Sequence, residues 1–522
     1  MKNIFKAVAV VTIFSIITRA LGFLFRIFLS RKLGSIGIGL FQMASSILGL
    51  FLTFVSSGIP LTTAKLVSKY NANNEIYKKH KVVSSSLVIA ILIAILSCLV
   101  LFLLKNVWGF ILTDNKAVEI LLILAPSILF SAIYAVFRGA LWGQNDYFNC
   151  GLTELLEQII RFIATFILLK NITDYFIATK YSAHAFNLTC LLSSIITIVI
   201  YLKNNRLNFK KGEYKNIIKS SAPVTGVRIA NSLVQPLTTL IIPNMLIISG
   251  YTITEAVSSF GVIMGMTFPM LFVPMAVVGS ISMVLIPSIS SMMTKNEYST
   301  IEKNIINSLE VSIFISMIFI PLYLSVGDLI GLVLYNNAMA GILLQLSAVC
   351  VLPITLCNLT GSILNALNLE TKSFINYIIG SSILFISLII FTPLFKINSI
   401  IISFFLSMTI ISLLNLRKIK KALPNFKFNL SNYTLKYTLI LIPSSLLGHF
   451  VSNILLHFFN NLFAGIIGGS IAIICCLILT NILKIYNITN FNQQHYKLLK
   501  YVYRFYHHKY LNLFLCLQQL YL

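Results

Sequence analysis

Residues 8–28 read VAVVTIFSIITRALGFLFRIF, an apolar run with Arg19 and Arg26 set into it. About 20 residues of this kind cross the ~30 Å hydrocarbon core of a bilayer as a helix. Burying a guanidinium at that depth costs at least about 2.5 kcal/mol, so a run that keeps two of them needs a polar cavity or a bound anion to receive them. Lys2 and Lys6 precede the run as they would in a signal peptide. The arginines interrupt its core, however, and no A-x-A cleavage site follows, so it reads as an uncleaved first span.

The remainder of the chain has the same character. Of 522 residues, 57% are hydrophobic and 10% charged, with a mean hydropathy of +0.91, which excludes an ordinary soluble domain and predicts an all-α polytopic membrane protein. Walking the chain in spans gives fourteen candidates, starting near Val8, Ile36, Val82, Val118, Gly151, Ser182, Ser220, Ala256, Asn304, Ala340, Phe374, Ile397, Leu435 and Leu462. With the N-terminus inside, the inner loops hold roughly four times as many of the 39 Lys and Arg as the outer loops. The net charge of +25 is therefore a topology signal rather than a nucleic-acid footprint. Both termini are expected on the cytoplasmic side of a bacterial cytoplasmic membrane.

The richest inner loops follow spans two, six and twelve, which predicts a six-helix half over residues 1–219, a second over 220–434, helices 13 and 14 over 435–485, and a tail over 486–522. The halves echo one another. Ser57-Gly58-Ile59-Pro60 recurs as Val284-Leu285-Ile286-Pro287, and Phe137-Arg138-Gly139 through Gly143 recurs as Leu359-Thr360-Gly361 through Asn365. An even number of spans per repeat keeps the halves parallel, with the expected binding cavity between them.

Helical spacing then arranges the intramembrane charges. Arg19 and Arg26 lie seven apart, so they share a face with Ser15. Glu154, Glu157 and Arg161 form a stripe on span five with Gln158 beside it, and Arg228, Asn231 and Gln235 repeat that spacing on span seven. Glu157 and Arg161 are an i,i+4 pair of favourable order, read equally as structural or as part of the path. Arg19, Arg26 and Arg228 have no acid on their own helices, and snorkelling to the surface is the competing reading for Arg26. The excess of arginine suits a phosphate, which guanidinium binds in bidentate fashion.

Pro223, Pro236 and Pro243 in span seven, and Gly261, Gly265, Pro269, Pro274 and Gly279 in span eight, predict bends or breaks. The cysteines show no CxxC spacing, so neither a disulfide framework nor a metal site is expected. His449 and His457 lack a ligand set. No Walker sequence, serine elbow or HExxH occurs, so no cofactor and no covalent chemistry are expected. The run 510–522 is too short to span and suits an interfacial helix.

Thr18-Arg19-Ala20-Leu21-Gly22-Phe23-Leu24-Phe25-Arg26, with Leu33-Gly34, Gly37-Ile38-Gly39-Leu40-Phe41-Gln42-Met43 and Gly58-Ile59-Pro60, resembles the sporulation-associated members of the polysaccharide-exporter branch of the multidrug/oligosaccharidyl-lipid/polysaccharide (MOP) flippase superfamily. The likeness continues at Phe137-Arg138-Gly139 with Gly143, at Glu157-Gln158-Ile159-Ile160-Arg161, and at Gly361 with Asn365, and covers about residues 1–485. It implies a fourteen-span fold that flips an undecaprenyl-pyrophosphate-linked saccharide by alternating access, with lipid II for spore cortex as the fitting substrate. Substrate and membrane lipids would be its ligands, and cell-wall synthases its candidate partners. Lipid II flippases of the superfamily keep first-span cavity arginines, which Arg19 and Arg26 match with one extra residue between them. They also carry an early second-span aspartate, where this chain reads Ile36-Gly37-Ile38-Gly39-Leu40-Phe41-Gln42. After Pro243 the sporulation branch often continues with basic residues, whereas here Asn244 and Met245 follow. Two other readings remain: a cation-coupled multidrug exporter of the same superfamily, which needs an acid-dominated cavity, and a non-transporting scaffold for cell-wall synthesis.

Overall fold

The computed structural model describes residues 2–483 apart from 210–211, 295–296, 424, 427 and 429; the expected tail lies outside the described residues. The chain runs as α1 Lys2–Ser56, α2 Gly58–Ala72, α3 Ile76–Leu103, α4 Lys105–Ile111, α5 Asn115–Leu124, α6 Ser127–Gly143, α7 Tyr147–Leu169, α8 Tyr175–Leu202, α9 Tyr214–Ser232, α10 Val234–Ile248, α11 Ile253–Phe260, a π-turn Gly261–Thr267, α12 Phe268–Leu271, α13 Val273–Thr294, α14 Tyr298–Tyr335, α15 Ala338–Ser347, a short 3₁₀ turn, α16 Val351–Ala366, α17 Glu370–Phe395, α18 Asn398–Ala422, α19 Leu430–Leu455 and α20 Asn461–Ile482. No strand occurs among the described residues. This is the all-helical solution that a lipid solvent demands, because every backbone N–H and C=O must find its partner within the segment.

Eleven stretches are long and apolar enough to cross a membrane by themselves, or twelve if α5 and α6, bent by 41° at Ala125-Pro126, count as one. The expected fourteen differ from this at two places. The first and second expected spans fall in one 62-residue stretch, Val11–Ala72. The expected fifth span, α7, carries Glu154, Glu157 and Arg161, too many charges for an apolar reading.

Gly34 explains the first. Its φ of 67° is reached cheaply only without a Cβ, and it breaks α1 into two arms. In a straight helix Arg26 and Gln42 would stand about 24 Å apart, yet their side chains hydrogen-bond at 3.5 Å. The arms therefore fold back on each other.

Within the expected first half, residues 1–219, α1 packs on α5, α7 and α8, and α6 packs on α2, α3 and α8. Gly139 and Gly143 let α6 approach α2 closely: a Cβ there would come within 2.6 Å of the Pro60 carbonyl and 2.5 Å of the Ala64 carbonyl. In the second half the counterpart helices α13 and α16 also pair. The glycine role is not repeated there, since a Cβ on Gly361 would meet only Ser373 Oγ at 3.7 Å. α19 and α20 pair with each other and pack on α14, where His449 Nδ1 donates 3.0 Å to the Ser325 carbonyl beside the non-helical Val326.

The expected breaks are realised only in part: α9 runs on through Pro223, α10 through Pro243 and α13 through Gly279. Pro274 has no N–H for the carbonyl of Met270, and α12 ends at Leu271; the Tyr323 hydroxyl from α14 donates to that carbonyl at 2.7 Å. At Leu233, three residues before Pro236, the helical hydrogen-bond pattern is interrupted while the backbone stays helical (φ −65°, ψ −25°), and Tyr214–Ile248 continues as one candidate span. α9 packs on α1, α2 and α3, whereas α10 packs on α11 and α17 as well as α1.

Candidate functional site

The first arm of α1 has three faces. Phe25 and Phe28 stack on Phe162 of α7 at 6.3 and 5.4 Å, and Gly151 of α7 is pressed against the Phe14 ring. Ile13, Ile17 and Leu24 form an exposed apolar stripe, as lipid requires. Ser15, Arg19, Arg26 and Ser30 make up the third face.

That third face looks toward the second half. Arg26 Nη2 donates 3.0 Å to the Met264 carbonyl, and Ser30 Oγ donates 3.4 Å to the Gly265 carbonyl. Both acceptors are available for one reason. In the π-turn the Phe268 N–H serves the carbonyl of Ile263, so the next donor along should be residue 269 for Met264, or in α-register for Gly265. Residue 269 is proline and donates nothing. Arg26 is thus held by a carbonyl of the other half and by Gln42, rather than snorkelling.

Around this contact the halves are fitted without clearance. A Cβ on Gly39 would lie 2.2 Å from the Val257 carbonyl, and one on Gly261 2.1 Å from the Ser35 carbonyl. Ser258 Oγ donates to Ser35 Oγ at 2.8 Å. The end of the bundle that carries Gly34 is therefore closed by α1, α11 and the π-turn.

Arg19 lies two turns from Arg26 on the same face, about 10 Å toward the other end. It is exposed, and it has no acidic partner among the described residues. On α9, Ser221 and Thr225 press on Gly58, whose Cβ would stand 2.4 Å from the Ser221 carbonyl. Arg228 continues that side of α9 and is exposed, as are Asn231 and, beyond the interruption at Leu233, Gln235 on α10. The expected stripe thus spans a helix junction. Nothing occupies the space within 4 Å of a Cβ built at Gly49, Gly226 or Gly279. Arg19 and Arg228 stand on helices that pack together, α1 and α9; no side-chain contact joins them.

The stripe on α7 has a different character. Glu157 is paired with Arg161, whose guanidinium also stacks on Phe186 of α8 at 5.2 Å. Glu154 is paired with Arg138 of α6 at 2.7 Å. Arg138, which the sequence singled out only within the Phe137-Arg138-Gly139 motif, sits inside α6 as a further arginine of an apolar helix. The signal was its position one turn before Gly143, where the apolar run of α6 has not yet ended. Gln158 lies along α1, with its Oε1 3.7 Å from a Cβ on Gly22. Gln42, which receives Arg26, carried no polar periodicity that the sequence could show. Among the described residues no cluster of His, Cys, Asp and Glu could hold a metal ion, and the seven described cysteines are unbridged.

A family model described as polysaccharide biosynthesis protein matches residues 4–293, more than half of the chain. Among curated relatives, the stage V sporulation protein B of Bacillus subtilis (strain 168) is 25% identical over 441 residues, covering 82% of this chain and 85% of the relative. Among solved structures, the lipid II flippase MurJ in an inward closed conformation aligns with a TM-score of 0.70 at 18% identity, covering 91% of this chain and 98% of that one. An inward-facing multidrug-resistance MATE family transporter of the MOP superfamily aligns at 0.65 and 11% identity, covering 78% and 96%.

Proposed function

The chain belongs to the polysaccharide biosynthesis protein family, and from that premise we propose that it flips an undecaprenyl-pyrophosphate-linked saccharide across the cytoplasmic membrane. It is a multi-pass membrane transporter with the MOP-superfamily fold, not an enzyme. Lipid II destined for spore cortex is the substrate that the kinship to a sporulation protein favours.

One observation carries the reading. Arg138 and Arg161 are neutralised by carboxylates of α7, whereas Arg19 and Arg228 are exposed without an acidic partner among the described residues. Such uncompensated charge at membrane depth calls for a polar cavity or a bound anion, and guanidinium geometry matches pyrophosphate. A cationic drug would meet repulsion there, which weighs against multidrug export.

With the positive loops inside, the closed Gly34 end faces outward and the cleft opens inward. In the proposed cycle the pyrophosphate enters against Arg19 and Arg228, the saccharide occupies the aqueous cleft, and the polyprenyl chain stays in lipid. Rocking of the halves then exchanges the closed end. The test is reconstitution into liposomes with a panel of labelled lipid-linked saccharides, scoring translocation directly. Transport of none of them by folded protein would sink the proposal and leave the scaffold reading.

A further inference from the structure

α14 is interrupted twice in close succession, by Pro321 and by the non-helical Val326 (φ −131°, ψ 17°). Pro321 has no N–H for the Met317 carbonyl one turn back, and Cys476 Sγ of α20 donates to that carbonyl at 3.2 Å in a buried position. The Ser325 carbonyl, next to Val326, is met by His449 Nδ1 of α19 at 3.0 Å. A carbonyl only accepts, so Nδ1 carries the proton, and the other nitrogen of the neutral ring accepts from Asn453 Nδ2 at 3.1 Å. Both donors stand on the α19–α20 hairpin, which fits the interrupted turn closely. A Cβ on Gly448 of α19 would stand 3.0 Å from Ser325 Cβ, and one on Gly469 of α20 would stand 2.6 Å from Leu322 Cδ1 and 3.2 Å from Val326 Cγ2. Tyr323, buried between the two interruptions, reaches α12 and donates to the Met270 carbonyl that Pro274 leaves free.

We infer that residues 321–326 of α14 form a joint and that the α19–α20 hairpin is its latch, with His449 and Cys476 as the two catches. A helix interrupted at membrane depth needs its freed carbonyls answered by neighbouring helices. Here both answers come from the pair of helices that follows the expected second half. With the latch shut, the turn at Val326 is fixed and Tyr323 is held against α12. With it open, the Ser325 carbonyl loses its donor, the turn flexes and Tyr323 withdraws. Span eight, whose π-turn packs on α1, then loses its support from α14. The device is independent of which substrate is carried.

The test is amide hydrogen exchange of the full-length protein in nanodiscs, read by mass spectrometry. His449→Leu raises exchange in residues 326–331 at least about tenfold, the worth of one buried hydrogen bond, and raises it in 271–273 as well. His449→Gln, which still carries a donor, returns both segments toward wild type. Cys476→Ala raises exchange in 322–325, and Cys476→Ser does not. Tyr323→Phe raises exchange in 271–273 alone, because it cuts the link beyond the latch. Wild-type exchange in both His449→Leu and Cys476→Ala overturns the inference. So does a rise spread evenly over α16, α17 and α18, which marks general loss of stability, or a glutamine variant as open as the leucine one. Unaltered exchange of 271–273 in Tyr323→Phe overturns the coupling to span eight.

Discussion

The Arg138 guanidinium lies 2.7 Å from the Glu154 carboxylate and ties α6 to α7, while Glu157 holds Arg161 one turn further along α7. Two ion pairs inside one half bring no net charge to the cleft. They leave the α6–α7 contact locally charge-balanced, against which Arg19 and Arg228, without an acidic partner among the described residues, stand out.

Removing one partner strands the other charge. Glu154→Gln or Glu157→Gln is expected to cost about 1–2 kcal/mol, below the figure for fully buried pairs because these side chains are part-exposed. It should appear as a lower melting temperature in detergent. The swapped double variant Arg138→Glu with Glu154→Arg should recover much of the loss. Single variants of normal stability that no longer transport would place the pairs in the substrate path instead.

Arg19→Ala and Arg228→Ala should each reduce flipping at least about tenfold, worth 1.4 kcal/mol or more of lost stabilisation, with membrane insertion intact. Lysine in either place should restore part of the rate, since it keeps the charge and loses the fork. Liposome flipping normalised to inserted protein measures both. Wild-type rates in the two alanine variants would remove the anion cleft.

The close approach of Gly261 to the Ser35 carbonyl leaves no space for a methyl group. Gly261→Ala should wedge the closed end, so that a cysteine replacing Ser258 in a background lacking the native cysteines reacts several-fold faster with an impermeant thiol reagent. Unchanged labelling would show that the helices can give way by the missing distance.

Orientation is open to the same chemistry. Cysteines near Asn73, Asn208 or Asn425 should resist the reagent in intact cells, and those near Asn115, Tyr251 and Asn460 should react. Labelling at Asn208 would mean an odd number of spans in the first half and an inverted rather than parallel repeat.

The apolar runs and the arginines were legible because hydrophobicity and spacing are local properties of the chain. Pro269 and Gly34 were visible as letters, but their effects depend on where a partner lies. Proline predicts a missing donor and not that Arg26, 238 residues away in order, supplies a replacement to Met264. The Arg138 pairing was not legible because its acid, Glu154, stands on the next helix, sixteen residues on, beyond the reach of same-helix spacing.

Asn208 and Glu213, on the link between the expected halves, are fastened to the helices before them: the Asn208 N–H donates to Ser84 Oγ, the Glu213 N–H to Ser85 Oγ, and the Tyr70 hydroxyl to the Glu213 carboxylate. With α9 docked on α2 as well, the end of the sequence repeat does not coincide with a gap in the packing. A gene split between residues 204 and 205 should therefore still yield two polypeptides that recognise each other through α9.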